Sequence, residues 1–86
     1  MNENLKIAAQ LAPILVRVHG ANHPELTQVR DLTLQLTQST GSDTTSSLFA
    51  QLRDVTKNYS VPSDGCEAYT STYEALAAAD TAHSNN

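Results

Sequence analysis

Apolar residues recur every three or four positions along four stretches of the chain, and a glycine or proline separates each stretch from the next. This period is that of the buried face of an α-helix. It predicts helices over residues 4–19, 24–39, 44–59 and 64–83. Because the connections are short, neighbouring helices are expected to run antiparallel. We therefore predict an all-α fold, a small four-helix up-down-up-down antiparallel bundle, in a single domain covering residues 1–86.

Residues that begin, end or interrupt helices refine this prediction. Pro13 lies inside the first helix, where its missing N–H is expected to kink the helix or delay its start. Gly20 is suited to end that helix, and Pro24 fits the first turn of the second. Ser63 is expected to cap the fourth helix, which places Cys66 at about its third residue. Free backbone N–H groups and the helix dipole would stabilise a thiolate there.

Two of the helix connections hold most of the chemically reactive side chains. In an antiparallel bundle the connection after the first helix and the connection after the third lie at the same end. His83 would lie at the opposite end, ~25–30 Å away at 1.5 Å per helical residue. The groups expected at or near the shared end are His19, His23, Tyr59, Asp64, Cys66, Glu67 and, from the adjoining core, Tyr69.

Charge and composition exclude several classes of function. The 86 residues carry a formal net charge of −4, and their five Lys and Arg residues are scattered, so no basic surface for nucleic acid is expected. No apolar run approaches the ~20 residues of a membrane span, and the first residues lack a basic signal region. A single cysteine cannot form an internal disulfide. We expect a cytoplasmic protein that binds neither nucleic acid nor membrane.

The residues alone leave three interpretations of the shared end. His19 and Cys66, with His23 as a further ligand, would suit iron, zinc or copper. Alternatively, Cys66 is a redox-active thiol, or a nucleophile paired with a histidine that Asp64 or Glu67 would orient. In the third interpretation these residues only cap helices and fill the core. Nothing matches a known nucleophile motif, so we assign no enzymatic activity.

Two segments resemble a known family. Residues 18–26 read VHGANHPEL, and residues 52–73 read LRDVTKNYSVPSDGCEAYTSTY. Both are similar to the proteins described as iron–sulfur cluster repair di-iron proteins, hemerythrin-like four-helix bundles also described as regulators of cell morphogenesis and nitric oxide signalling. Their pattern is close to V-H-G-x-x-H-P-E-L, followed by L-R-x-x-T-x-x-Y/F-x-x-P-x-x-x-C-x-x-Y/W-x-x-x-Y. The resemblance implies a role in repairing clusters damaged by oxidative or nitrosative stress.

The chain departs from the long members of that family at the iron ligands. His19 matches one liganding histidine. Residues 34–38 read LQLTQ where an H-x-x-x-E motif is expected, and the histidine before the third helix is absent. Residues 82–86 read AHSNN in place of a final H-x-H-x-E-N-N segment. The resemblance therefore indicates a short form of the family. Iron is the metal it suggests, but the ligands are too few for a full di-iron centre in a monomer.

The leading hypothesis is a stress-response protein related to iron–sulfur cluster repair, with a weak metal-binding or nitric-oxide-responsive site at His19 and Cys66. The alternatives are a thiol redox sensor, or a non-catalytic helical module that docks on a larger iron protein or forms a homodimer. The separation of the His19 ring from the Cys66 sulfur discriminates among them. A separation of about 4 Å or less favours a site, whereas no single metal ion could bridge more than ~8 Å.

Overall fold

The computed structural model describes residues 3–84, which form four α-helices with no strand among them. The helices are α1 (Glu3–His19), α2 (Glu25–Gln38), α3 (Ser42–Val55) and α4 (Glu67–Ser84). α1 packs against α2 and α4, α2 packs against α3, and α3 and α4 share the smallest interface. The predicted all-α four-helix bundle is confirmed.

Apolar side chains from all four helices form one continuous core. The small side chains of Ala8 and Ala12 on α1 and of Ala79 on α4 let helices approach closely, while Tyr69 and Tyr73 supply most of the bulk on α4. The other large apolar side chains of the buried core are leucines, a valine and one phenylalanine: Leu5, Leu15, Leu26, Val29, Leu32, Leu36, Leu48, Phe49, Leu52 and Leu76. These are the residues of the predicted helical stripes.

α1 is one continuous helix that begins at Glu3 and runs through Pro13, so the expected late start was wrong. Pro13 lies on the exposed side of the helix, and the buried residues on either side of it keep their contacts with the core. Gly20 follows α1 as predicted, but its φ is not positive. A Cβ at this position would collide with the Val16 carbonyl oxygen, which accepts the Gly20 N–H at 2.9 Å. A glycine is therefore required at position 20, because the backbone there lies too close to the Val16 carbonyl oxygen for a side chain.

α3 ends at Val55, four residues before the predicted end, because the backbone adopts a left-handed conformation shortly after it. Lys57, Asn58 and Tyr59 have φ values of 53°, 60° and 63°. The Asn58 N–H donates to the Arg53 carbonyl at 2.7 Å, the bond that closes a Schellman motif. A left-handed conformation costs a residue other than glycine about 1–2 kcal/mol. Local hydrogen bonds must therefore hold this turn.

α4 begins at Glu67, so the predicted start at residue 64 was wrong. Residues 62–65 form a tight turn instead, closed by the Gly65 N–H donating to the Pro62 carbonyl at 2.9 Å. Cys66 immediately precedes the helix, and its carbonyl accepts the Thr70 N–H at 3.1 Å. Cys66 is thus the N-cap residue of α4 and not the third residue of the helix.

The outer face of α1 carries an apolar stripe. Ile7, Ile14 and Val18 are 38%, 38% and 63% exposed, and the partly buried Leu11 lies between them at helical spacing. Leu34 on α2 is also exposed. None of the described helices combines the length and the apolar character that crossing a lipid bilayer requires.

Candidate functional site

His19 and Cys66 form a pair of reactive side chains in direct contact. The His19 Nε2 atom lies 3.2 Å from the Cys66 Sγ atom. His19 is the last residue of α1, and Cys66 is the residue before α4, so the packing of these two helices brings them together. The imidazole is half-buried and the thiol is exposed. This distance is below the limit of about 4 Å that favours a functional site formed by the two side chains.

His23 makes a different set of contacts. Its Nε2 atom lies 3.0 Å from both carboxylate oxygens of Asp64, and its Nδ1 atom lies 3.3 Å from Glu25 Oε2. The hydrogen bond to Asp64 raises the pKa of His23 above its usual 6.5, and the Glu25 carboxylate adds to this effect while partial burial opposes it. The same hydrogen bond lowers the pKa of Asp64. Both ring nitrogens of His23 are therefore occupied by carboxylates.

Tyr69 forms a common wall behind the two histidines. Its ring centroid lies 5.3 Å from that of His19 and 5.7 Å from that of His23, both in edge-to-face arrangements. The side chain is fully buried, and its hydroxyl oxygen has no hydrogen-bond partner among the described residues. Burial raises the pKa of this hydroxyl. Tyr69, which the sequence placed beside the site, is in direct contact with both imidazoles.

Two residues predicted at this end take no part in the site. The Tyr59 hydroxyl donates to Asp80 Oδ2 at 2.8 Å, because the left-handed turn directs this side chain toward the C-terminal half of α4. Burial and the bond to Asp80 raise the pKa of Tyr59. Glu67 is exposed at the start of α4. Among the described residues, its side chain is not one of those that contact His19, His23 or Cys66.

His83 lies at the end of α4 and contacts α3. Its Nε2 atom lies 2.8 Å from Ser46 Oγ, and its ring lies 5.6 Å from that of Phe49. His83 therefore fastens the end of α4 to α3.

A cleft of about 430 Å³ opens on the side of His23 away from Cys66, which is not in its lining. It lies between the start of α2, the segment after α3, and α4. Glu25 and Lys57 supply its charged groups, and Tyr69 and Tyr73 are among its apolar walls. This cleft was not predicted, because residues 56–59 after α3 were expected to be helical.

The residues present do not fit a full di-iron centre of the kind that the resemblance associates with long members of the family. Within residues 3–84, no group of three or more His, Cys, Asp and Glu side chains could hold a metal ion. His19 and Cys66 supply two adjacent donors, and the nitrogens of His23 are already bonded. A carboxylate-bridged iron pair needs several ligands from facing helices.

The arrangement provides an exposed thiol, an imidazole in hydrogen-bond contact with it, and a second imidazole held between carboxylates. These groups suit proton transfer and thiol chemistry. Comparison with models of protein families, with curated proteins and with solved structures found no match.

Proposed function

We propose that this protein is a small stress-response protein in which the Cys66 thiol, paired with His19, reacts with peroxides or S-nitrosothiols. The observation that carries the proposal is the 3.2 Å contact between His19 Nε2 and Cys66 Sγ. His19 and Cys66 are only two adjacent donors, so we do not propose a metal site there.

The chemistry begins with proton transfer within the pair. A neutral His19 ring with its lone pair on Nε2 accepts the S–H proton, which gives an imidazolium beside a thiolate. The thiolate lies at the N-cap of the 18-residue α4, where free N–H groups and the helix dipole favour negative charge. Attack on a hydroperoxide breaks its O–O bond and yields a sulfenic acid, with hydroxide leaving from hydrogen peroxide or an alkoxide from an organic hydroperoxide. Attack on an S-nitrosothiol transfers the nitroso group to Sγ and releases the donor's thiolate.

Two further observations support this proposal. Cys66 is exposed, so a small oxidant can reach it. Residues 52–73, which contain Cys66, resemble a family associated with damage by oxidative and nitrosative stress. Asp64 opposes thiolate formation because like charges repel, but its carboxylate is paired with His23.

Iodoacetamide provides the test, since it alkylates the thiolate and not the thiol. At pH 7 the wild-type protein is expected to react about tenfold faster than His19→Gln, the effect of losing a hydrogen bond of about 1.5 kcal/mol to a charged group. His83→Gln, at the other end of the bundle, is the matched control and is expected to react at the wild-type rate. S-nitrosoglutathione transfer is expected to follow the same order.

Two results would reject the thiol proposal. One is an unchanged alkylation rate in a folded His19→Gln variant. The other is a wild-type rate no faster than that of the same chain unfolded in urea. Circular dichroism of each variant establishes that it is folded.

The apolar stripe on α1 favours a second candidate function, docking on a larger iron protein or on a second copy. Ile7, Ile14 and Val18 are exposed on one face of the helix. Size-exclusion chromatography with light scattering, in the presence of a reductant, is expected to show a concentration-dependent dimer that Ile14→Glu abolishes. A wild-type monomer at millimolar concentration, with no partner retained from a cell extract, would contradict this second function.

A further inference from the structure

His23 joins two segments that lie 41 residues apart in the chain. On one side it belongs to the connection between α1 and α2, and its Nδ1 atom contacts Glu25 of α2 at 3.3 Å. On the other side its Nε2 atom contacts both oxygens of Asp64 at 3.0 Å. Asp64 lies in the turn formed by residues 62–65, two positions before Cys66. The histidine therefore ties the turn that precedes the thiol to the rest of the bundle.

The turn transmits this constraint because it is closely packed. The Gly65 N–H closes it on the Pro62 carbonyl at 2.9 Å. A Cβ added at Gly65 would lie 2.7 Å from Val61 Cγ1, closer than unbonded carbon atoms approach. Cys66 directly follows this turn, and its carbonyl is fixed by the first hydrogen bond of α4. Any shift of Asp64 is therefore expected to move the Cys66 sulfur relative to His19.

We propose that His23 is a positioning residue for Cys66. The imidazolium contacts a carboxylate through each ring nitrogen, and its contact with Asp64 holds the turn of residues 62–65 in place. The turn thereby holds the Cys66 thiol against His19. When His23 loses its proton, the ring keeps at most one N–H, and one of the two carboxylates loses its donor. The residue 62–65 turn then loosens and the His19–Cys66 contact weakens. This regulatory role rests on the proposed function of the thiol.

The groups around His23 fix the sign of the pH dependence. Asp64 faces it from the turn, Glu25 from α2, His19 from the end of α1 at a ring separation of 6.5 Å, and Tyr69 from α4. Lys57, from the segment after α3, lines the same cleft. Because the folded pKa of His23 is raised, its contribution is complete below about pH 6.5 and is lost as the pH rises through that raised pKa.

The acid limit follows from Asp64 in the same way. Its pKa is lowered from 3.8, so its contribution is present above that value and is lost as the pH falls through the lowered pKa. The imidazolium–carboxylate contact is therefore complete between about pH 3.8 and pH 6.5.

An NMR titration of the Cys66→Ser variant tests the positioning role, since this variant has no thiol to ionise. The backbone amides of residues 64–66 are expected to shift with the His23 ring protons, at one shared midpoint above pH 6.5. Adding His23→Gln is expected to remove this step, whereas adding His83→Gln is expected to leave it. Amides without a step at the midpoint of His23, or a step that survives His23→Gln, would overturn the proposal.

A second measurement connects the turn to reactivity and does not depend on the Cys66→Ser variant. With Cys66 present, His23→Gln is expected to slow iodoacetamide alkylation several-fold at pH 6, and the two rates are expected to converge above the midpoint of His23. A purely structural role would give a ratio independent of pH, which would count against positioning. If the amides titrate but alkylation is slow and independent of His19, the positioning role stands and the thiol function fails.

Discussion

Replacing Leu52 with alanine is expected to remove about 3–4 kcal/mol of folding stability, because the truncation leaves a cavity in the core. Leu52 is 0% exposed, and α3 is held to the bundle mainly by Leu48, Phe49 and this residue. A chain of this length is expected to have ~4–13 kcal/mol in total. The variant should therefore unfold at a much lower urea concentration, as measured by circular dichroism at 222 nm.

Gln51→Ala is the matched control for this experiment. It alters the adjacent residue of the same helix, which is exposed and makes only weak hydrogen bonds to Ser47. Its urea midpoint should stay close to that of the wild type. A Leu52→Ala variant that loses less than about 1 kcal/mol would show that α3 is not held by its buried stripe.

Replacing Asp80 with alanine is expected to cost about 2–3 kcal/mol, the second largest effect, because it removes a buried carboxylate and leaves the Tyr59 hydroxyl without its acceptor. Asp80 is only 6% exposed, and its Oδ2 atom accepts the Tyr59 hydroxyl at 2.8 Å and lies 3.4 Å from Arg53 Nε. Arg53 is 44% exposed, so its share should be small. Without Asp80, the left-handed turn loses its link to α4.

A double-mutant cycle with Tyr59→Phe separates the two contacts of Asp80. Tyr59→Phe alone should cost about 1 kcal/mol, and it should cost close to nothing once Asp80 is alanine. Asp54→Ala, which removes an exposed carboxylate from α3, is the control and should be nearly neutral. Equal effects of Tyr59→Phe in both backgrounds would mean that the hydroxyl contributes independently of Asp80.

The hydrophobic pattern was sufficient to predict the four helices and most of the core, because a period of 3.6 residues directly reports the buried face of a helix. It failed between Thr56 and Cys66. The left-handed turn at Lys57–Tyr59 contains no glycine, so the residue types there did not predict the early end of α3. The turn at residues 62–65 likewise replaced a predicted first turn of α4, which moved Cys66 to the N-cap.

The placement of His19 and Cys66 at one end of the bundle followed from topology, since antiparallel helices place alternate connections at one end. Their direct contact did not follow from it. The partners of His23 did not follow. The metal interpretation made His23 a further ligand beside His19 and Cys66, whereas the structure pairs it with Asp64 and Glu25. Which carboxylate meets which imidazole depends on loop conformation, and periodicity carries no information about that. The Tyr59–Asp80 contact was missed for the same reason.

The edge-to-face contacts of Tyr69 with both imidazoles have an evolutionary consequence. A substitution that shrinks or reorients this ring would disturb the His19–Cys66 pair and the His23–Asp64 contact together. The two histidines are therefore not free to diverge independently. Among related sequences, we expect the His19–Cys66 pair, His23 and Tyr69 to be conserved together or lost together.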